Sequence, residues 1–318
     1  MQLTVARYDV ALSMRPPASL ARALTLVENR APGWEKALAA AARKAKPAAR
    51  LGITGPPGAG KSTLVSKLLP MLTQDGPVGV LAVDPSSEFS GGAVLGDRFR
   101  LEGASDKVFF RSVAHRGASG GLSLALRGML TLLESAGKRW VVLESVGVGQ
   151  AELDILGLAD TVVVLLVPES GDYIQALKAG ILEAGDILVV NKMDRDGAAM
   201  MRDELADVLS YTKSRRFPDW EPRVLLSSAR DGKGVPEVLA AVREHRAFLA
   251  KEGRLAALRR AQARRAVEEL LRASLQRRMG ADPVLAKAAQ AAAGRVASGK
   301  SDPYAEAERL AGRILGRG

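Results

Sequence analysis

Leu51-Gly52-Ile53-Thr54-Gly55-Pro56-Pro57-Gly58-Ala59-Gly60-Lys61-Ser62-Thr63, continued by the helical run Leu64 to Leu72, sets an apolar strand, a G-x-x-x-x-G-K-[ST] loop and a helix in immediate succession. The order matters as much as the pattern, because a glycine-rich loop cradles phosphate oxygens only when it leaves a strand and opens a helix. Glycines let backbone amides approach the oxygens, and the helix N-terminus adds partial positive charge. Lys61 is placed to reach the β/γ phosphates and the Ser62 hydroxyl to ligate Mg²⁺, so the segment Gly55 to Thr63 reads as a nucleotide-binding loop.

Working outward, apolar runs recur at Val78 to Val83, Val108 to Arg111, Trp140 to Leu143, Thr161 to Val167, Ile187 to Val190 and Val224 to Leu226, with helical patterns between them. They are continuous and β-rich rather than alternating, as strands buried on both faces require. The predicted fold is therefore α/β, a mostly parallel central sheet flanked by helices over residues 48–242. Residues 1–47 read as an N-terminal helical extension, its run from Ser19 to about Lys46 broken near Pro32-Gly33. Residues 243–318 read as a helical arm, with breaks at Gly280 to Pro283 and Ser298 to Pro303.

Asn191-Lys192-Met193-Asp194 follows the run Ile187 to Val190, at a strand's C-terminal end where open α/β sheets place ligand contacts. A carboxylate at 194 can accept from guanine N1–H and N2–H₂, which adenine does not offer, so Asp194 is expected to select the base. Ser227-Ser228-Ala229 closes the next strand and is expected to present backbone amides to guanine O6. Asp84 and Glu144 each end a strand and are candidates for Mg²⁺, which prefers oxygen ligands. Glu144-x-x-Gly147 stands where many GTPases carry D-x-x-G, and Gln150, Arg98 and Arg100 are candidates for positioning water or neutralising charge.

Composition excludes other classes. With no cysteine among 318 residues, a disulfide framework, thiolate zinc sites and a cysteine nucleophile are ruled out. Only two histidines are present, His115 and His245, too few for a histidine-rich metal store. His115 reads as a loop residue near the site and His245 as surface. No apolar run approaches the ~20 residues that span a bilayer, and the N-terminus lacks a signal-peptide core, so a soluble cytoplasmic protein with no membrane partner is expected. The net charge of +11 is concentrated in the arm, which carries about 17 Lys and Arg against about 8 Asp and Glu. Val267, Leu270, Leu271, Leu275 and Met279 recur there at helical spacing, describing an amphipathic helix with a solvated basic face and not a nucleic-acid binder.

These segments resemble the MeaB/ArgK family of P-loop GTPases, bacterial counterparts of the methylmalonic aciduria type A protein. The likeness is carried by Ser19 to Arg30, Gly55 to Thr63, Val83 to Ser87, Phe89 to Arg98, Arg116-Gly117, Gly120 to Ser123, Glu144 to Gln150, and Gly171-Asp172 with Ile174 to Gly180. The resemblance implies a GTP/GDP-binding hydrolase that chaperones an adenosylcobalamin-dependent acyl-CoA mutase, usually methylmalonyl-CoA mutase, without itself binding cobalamin. It implies that Ser62, Asp84, Asp97 and Glu144 surround Mg²⁺, and that Lys61, Asp97, Glu144 and Gln150 serve hydrolysis. It further implies that Pro85 to Arg100, Glu144 to Gln150 and Glu169 to Lys178, with Asp172, Gln175 and Lys178, act as switches, and that the C-terminal helices form the arm of a homodimer. Glu88, Ser145 and Ala151 depart from the family's usual proline, threonine and serine. A P-loop kinase, a metallochaperone-like maturation GTPase and a signal-recognition-type GTPase are the competing readings. The base-reading segments speak against the first, the lack of Cys and His clusters against the second, and the lack of a methionine-rich domain against the third.

Overall fold

The computed structural model describes residues 18–85, 106–115, 121–145, 157–168, 181–212 and 216–314. Helices α1 (Ala18–Glu28) and α2 (Trp34–Lys44) are parted at the predicted break. There follow β1 (Ala49–Thr54), α3 (Lys61–Leu72), β2 (Val78–Pro85), β3 (Val108–His115), α4 (Gly121–Ser135), β4 (Trp140–Glu144), β5 (Thr161–Leu166), α5 (Ile181–Ala184), β6 (Ile187–Asn191), α6 (Ala198–Tyr211), β7 (Arg223–Ser227) and α7 (Val235–Ala250). A 3₁₀ turn (Lys251–Gly253) then opens α8 (Arg254–Ala281), followed by α9 (Pro283–Ala297) and α10 (Pro303–Ile314).

The strands form one seven-stranded parallel sheet in the order β3-β2-β4-β1-β5-β6-β7. Its inner strands bury both faces, which is why they appear in the sequence as unbroken apolar runs. Successive residues go to opposite cores: Val162, Val164 and Leu166 of β5 join Leu188 and Val190 of β6 on the face covered by α1, α4 and α6. Val163, Leu165, Ile187 and Val189 pack on the other face with Leu64 and Leu68 of α3 and Val238 and Val242 of α7. The register sets Ile53 level with Glu144, and Asn191 level with Ser227, so the predicted polar residues gather at the C-terminal end of the sheet.

The chain divides into two compact units, the first ending at Gln262 and the second beginning at Ala263. The predicted ends of the sheet-bearing segment, at 47/48 and 242/243, are crossed by continuous packing. Leu20, Leu24 and Val27 of α1 share a core with Leu126, Met129 and Leu130 of α4. Beyond 242, His245 and Leu249 are buried, and Arg259 bonds Ala48 O and Asp160. In the second unit Asp282 caps α9 through Val284 N at 2.8 Å, and Glu306 of α10 takes Arg295 at 2.6 Å and Arg309 at 2.8 Å. Among the described residues no helix is long and apolar enough to cross a membrane.

Candidate nucleotide site

The loop after β1 is shaped by what lies behind it. Gly60 has φ +94°, and a Cβ there would stand 2.4 Å from Asn191 Nδ2, so only glycine lets the loop close against β6. Lys61 is buried, its Nζ donating to Gly55 O at 2.7 Å and Pro56 O at 2.9 Å. The ammonium therefore hangs over the loop rather than over solvent. Lys61 and Ser62 open α3, whose first-turn amides have no intrahelical carbonyl to bond and face the loop's mouth.

Glu144 ends β4 directly beside this helix start. Ser62 Oγ donates to Glu144 Oε1, while Glu144 Oε2 is buried with no hydrogen-bond partner among the described residues. Burial raises the Glu144 pKa, opposed by the Ser62 hydrogen bond and by the charge of Lys61. The other buried acids among the described residues each have an arginine: Glu134 has Arg50, Asp160 has Arg259, Asp186 has Arg216 and Glu306 has Arg295. Glu144 has none. A hydroxyl and a carboxylate oxygen left unpartnered at a helix N-terminus are the donors a hard cation such as Mg²⁺ takes. Asp84 lies on β2, next to Ala114 of β3, two residues beyond the position paired with Glu144.

The segments expected to read the base are tied together by Asn191. Its Nδ2 donates to Ala59 O at 2.7 Å, and its Oδ1 accepts from Ser227 Oγ at 3.0 Å and from Ala229 N at 2.9 Å. One buried amide thus joins the phosphate loop to the loop after β7. The Ser228 amide, also expected to face a base, donates to Lys233 O at 2.9 Å, and Ser228 Oγ bonds Asp231 at 2.7 Å. Asn191 and Ala229 therefore serve each other in this arrangement, and Asn191 acts as a brace. Lys192 takes the left-handed conformation, φ +59°, which turns the chain so that Asp194 stands exposed beyond it.

Asp97, Arg98, Arg100, Gly147, Gln150, Asp172, Gln175 and Lys178 lie outside the described residues. Sequence reasoning missed the brace role of Asn191 and the buried hydroxyl pair of Thr54 and Ser145, 2.9 Å apart beneath the loop. It also misplaced His245, which is wholly buried and not on the surface. Its Nδ1 meets Thr161 Oγ1 at 2.9 Å, its Nε2 is 3.5 Å from Asp186, and Phe217, Trp220 and Phe248 surround the ring. His115 ends β3, a strand at the sheet edge.

The sequence profile described as methylmalonyl Co-A mutase-associated GTPase MeaB matches residues 20–284. The chain belongs to the MeaB family of P-loop GTPases. Relatives named as GTPases agree with this: a protein of Pyrococcus horikoshii is 41% identical with 84% of each chain covered, and the ArgK GTPase of Escherichia coli is 37% identical with 77% of each covered. The mouse mitochondrial methylmalonic aciduria type A homolog is 39% identical over 67% of this chain and 52% of its own length. A crystal structure described as an LAO/AO transport system kinase superposes with a TM-score of 0.74 at 28% identity, covering 99% of both chains. The MeaB-family assignment makes GTP hydrolysis the activity.

Proposed function

We propose that this chain hydrolyses GTP with the help of Mg²⁺, which Ser62 and Glu144 would hold, and itself acts in the cytoplasm as the chaperone of an adenosylcobalamin-dependent acyl-CoA mutase. The nucleotide half rests on one observation, that Glu144 is the one described buried acid that no described arginine pairs, and that its Oε2, beside Ser62, has no hydrogen-bond partner among the described residues. The mutase half is supported by the family's description and by the name of the mouse relative.

Lys61 exchanges the carbonyls of Gly55 and Pro56 for the β/γ phosphates, a charge-assisted interaction stronger than the one it leaves. Ser62 and Glu144, with Asp84 and Asp97 as further acids, would hold Mg²⁺, which would neutralise charge on the phosphate oxygens. Asp194 accepts from guanine, and the Asn191 brace keeps the base-reading loop in register with the phosphate loop. Gln150 or Asp97 positions water. A kinase, as the superposed structure is named, has no need of Asn191 to Asp194.

The second unit completes the proposal. Val267, Leu270, Leu271, Leu275 and Met279 on α8 are between 36% and 66% exposed, an apolar stripe that a second copy covers in a two-fold dimer. A chain ending after Gln262 then runs as a monomer in sedimentation and still binds GDP. The mutase reading is tested by capture of an adenosylcobalamin-dependent mutase from the source cell on this chain loaded with GDP or with a non-hydrolysable GTP analogue. Capture that depends on the nucleotide supports the reading, and its absence in both states overturns it.

A further inference from the structure

At the end of the sheet opposite the phosphate loop a cavity of about 450 Å³ opens between Pro47, Ala49, Asp75, Arg139, Trp140 and Arg246. Its polar groups do not cancel. Arg243 reaches both carboxylate oxygens of Asp75 at 3.2 Å, and Arg259 holds Asp160 at 2.7 Å. Those two acids are thereby spent. Arg139 and Arg246, which line the cavity, form no ion pair or hydrogen bond through their side chains with any described residue.

Both arginines are nonetheless held in place. The Arg246 guanidinium stacks 4.4 Å from the centroid of the Trp140 ring, and Trp140 is fixed by donating Nε1–H to Asp75 at 3.2 Å. The Arg139 backbone is pinned on both sides, its N–H on Pro77 O at 2.7 Å and its carbonyl on Ala49 N at 2.9 Å. Its side-chain stem lies across Gly76 (φ +137°), where a Cβ would stand 2.6 Å from Arg139 Cγ. Burial lowers the Arg246 pKa, attraction to Asp160 and Asp75 opposes this, and repulsion from Arg139 and Arg259 adds to it. An anion between the guanidinium groups relieves that repulsion.

We propose that this cavity is a second anion site, in which Arg139 and Arg246 together bind the phosphate group of a small phosphorylated molecule. Two guanidinium forks match the several oxygens of a phosphate, and the volume falls in the range of small-molecule sites, larger than inorganic phosphate needs. Its place at the N-terminal ends of β1 and β4 separates it from the nucleotide site across the length of the strands.

The test is calorimetric titration of the full chain, saturated with GDP and Mg²⁺ so that the loop is occupied, using inorganic phosphate in one arm and ribose 5-phosphate in the other. Saturable binding of ribose 5-phosphate is expected, weakened about tenfold by Arg246→Gln and about a hundredfold by the Arg139→Gln, Arg246→Gln pair, with thermal unfolding unchanged. Gly76→Ala, which keeps both charges and displaces the Arg139 stem, weakens it as well. Equal affinity for the two ligands assigns recognition to the phosphate alone, and tighter binding of the sugar phosphate brings in the rest of the cavity; both support the site. Absence of saturable binding in both arms, or binding unaltered in the double variant, overturns it.

Discussion

At the C-terminal ends of β1, β4 and β6, polar side chains are held chiefly by backbone groups, and one carboxylate oxygen, Glu144 Oε2, has no partner among the described residues. At the N-terminal ends of β1, β5 and β6, each buried acid meets a guanidinium instead: Arg50–Glu134 at 2.8 Å, Arg259–Asp160 at 2.7 Å and Arg216–Asp186 at 2.9 Å. The same strands thus end in two different ways. Where buried charge is neutralised within the chain, its work is to fasten α4, α8 and the segment after α6 to the sheet. Where charge is left uncompensated, the chain is built for something it does not itself contain, because a buried unpartnered carboxylate oxygen is costly to keep.

The sharpest way to break this contrast is to swap the effects of mutation at the two ends. Asp186→Ala removes the one carboxylate paired with Arg216, which keeps only the carbonyls of Ala159 and Asp160 among the described residues, and takes the Asp186 acceptor from Val162 N. Breaking a buried pair from one side costs about 3–5 kcal/mol. Chemical denaturation should show that loss, while the affinity for GDP of the remaining folded protein stays as in the wild type. A large change in GDP affinity would mean that the two ends are not separate.

Asp194→Asn should do the reverse. The residue is exposed, so stability stays unchanged, while losing a charge-assisted contact to guanine costs about 2 kcal/mol of GTP binding. Xanthosine triphosphate gains, since the new amide can donate to the O2 that replaces the guanine amino group. Competition binding with GTP, ATP and xanthosine triphosphate measures this, and equal affinity of the wild type for ATP and GTP would contradict base selection by this loop.

A smaller effect concerns protons at the fastening end. Burial lowers the His245 pKa to about 3, with Arg216 adding to the shift, so its contribution to stability is lost as pH falls from about 6.5 toward 3. Burial raises Asp186 to about 6, against the pull of Arg216, so its contribution is present below about pH 4 and lost as pH rises through 6. Between about pH 4 and 6 the two slopes oppose each other and stability is nearly flat. His245→Gln removes one of them, and the variant should gain stability on acidification across that window, approaching 1.4 kcal/mol per pH unit. A variant whose profile stays as flat as the wild type would show that Asp186 does not take up the proton.

Most of the sheet was legible because strands buried on both faces leave continuous apolar runs. The exceptions are at edges: β3 extends to His115, past the predicted end at Arg111, since an edge strand carries half-exposed residues such as Arg111 and Ser112 that break the pattern. His245 was misread on the general tendency of such residues to lie exposed. Its spacing of three from Val242 and four from Leu249 puts it on the buried face of α7, and that periodicity was the available signal. The glycine loop, Glu144 and Asp194 were legible as motifs. That Asn191 braces two loops was not, because it depends on which carbonyl and amide lie across from it once β5 is paired with β1 and β6, and β7 with β6.

The central claim is that the uncompensated end of the sheet reports its nucleotide to a mutase. Single-turnover hydrolysis of GTP by the wild type and by Asp172→Ala, each with and without a cognate adenosylcobalamin-dependent mutase, tests it most directly. The account predicts acceleration by the mutase of about fivefold or more in the wild type, of the order of known coupling free energies, and a much smaller acceleration in the variant with intrinsic hydrolysis nearly retained. An unchanged wild-type rate in the presence of the mutase, or equal proportional losses in both conditions, would contradict it.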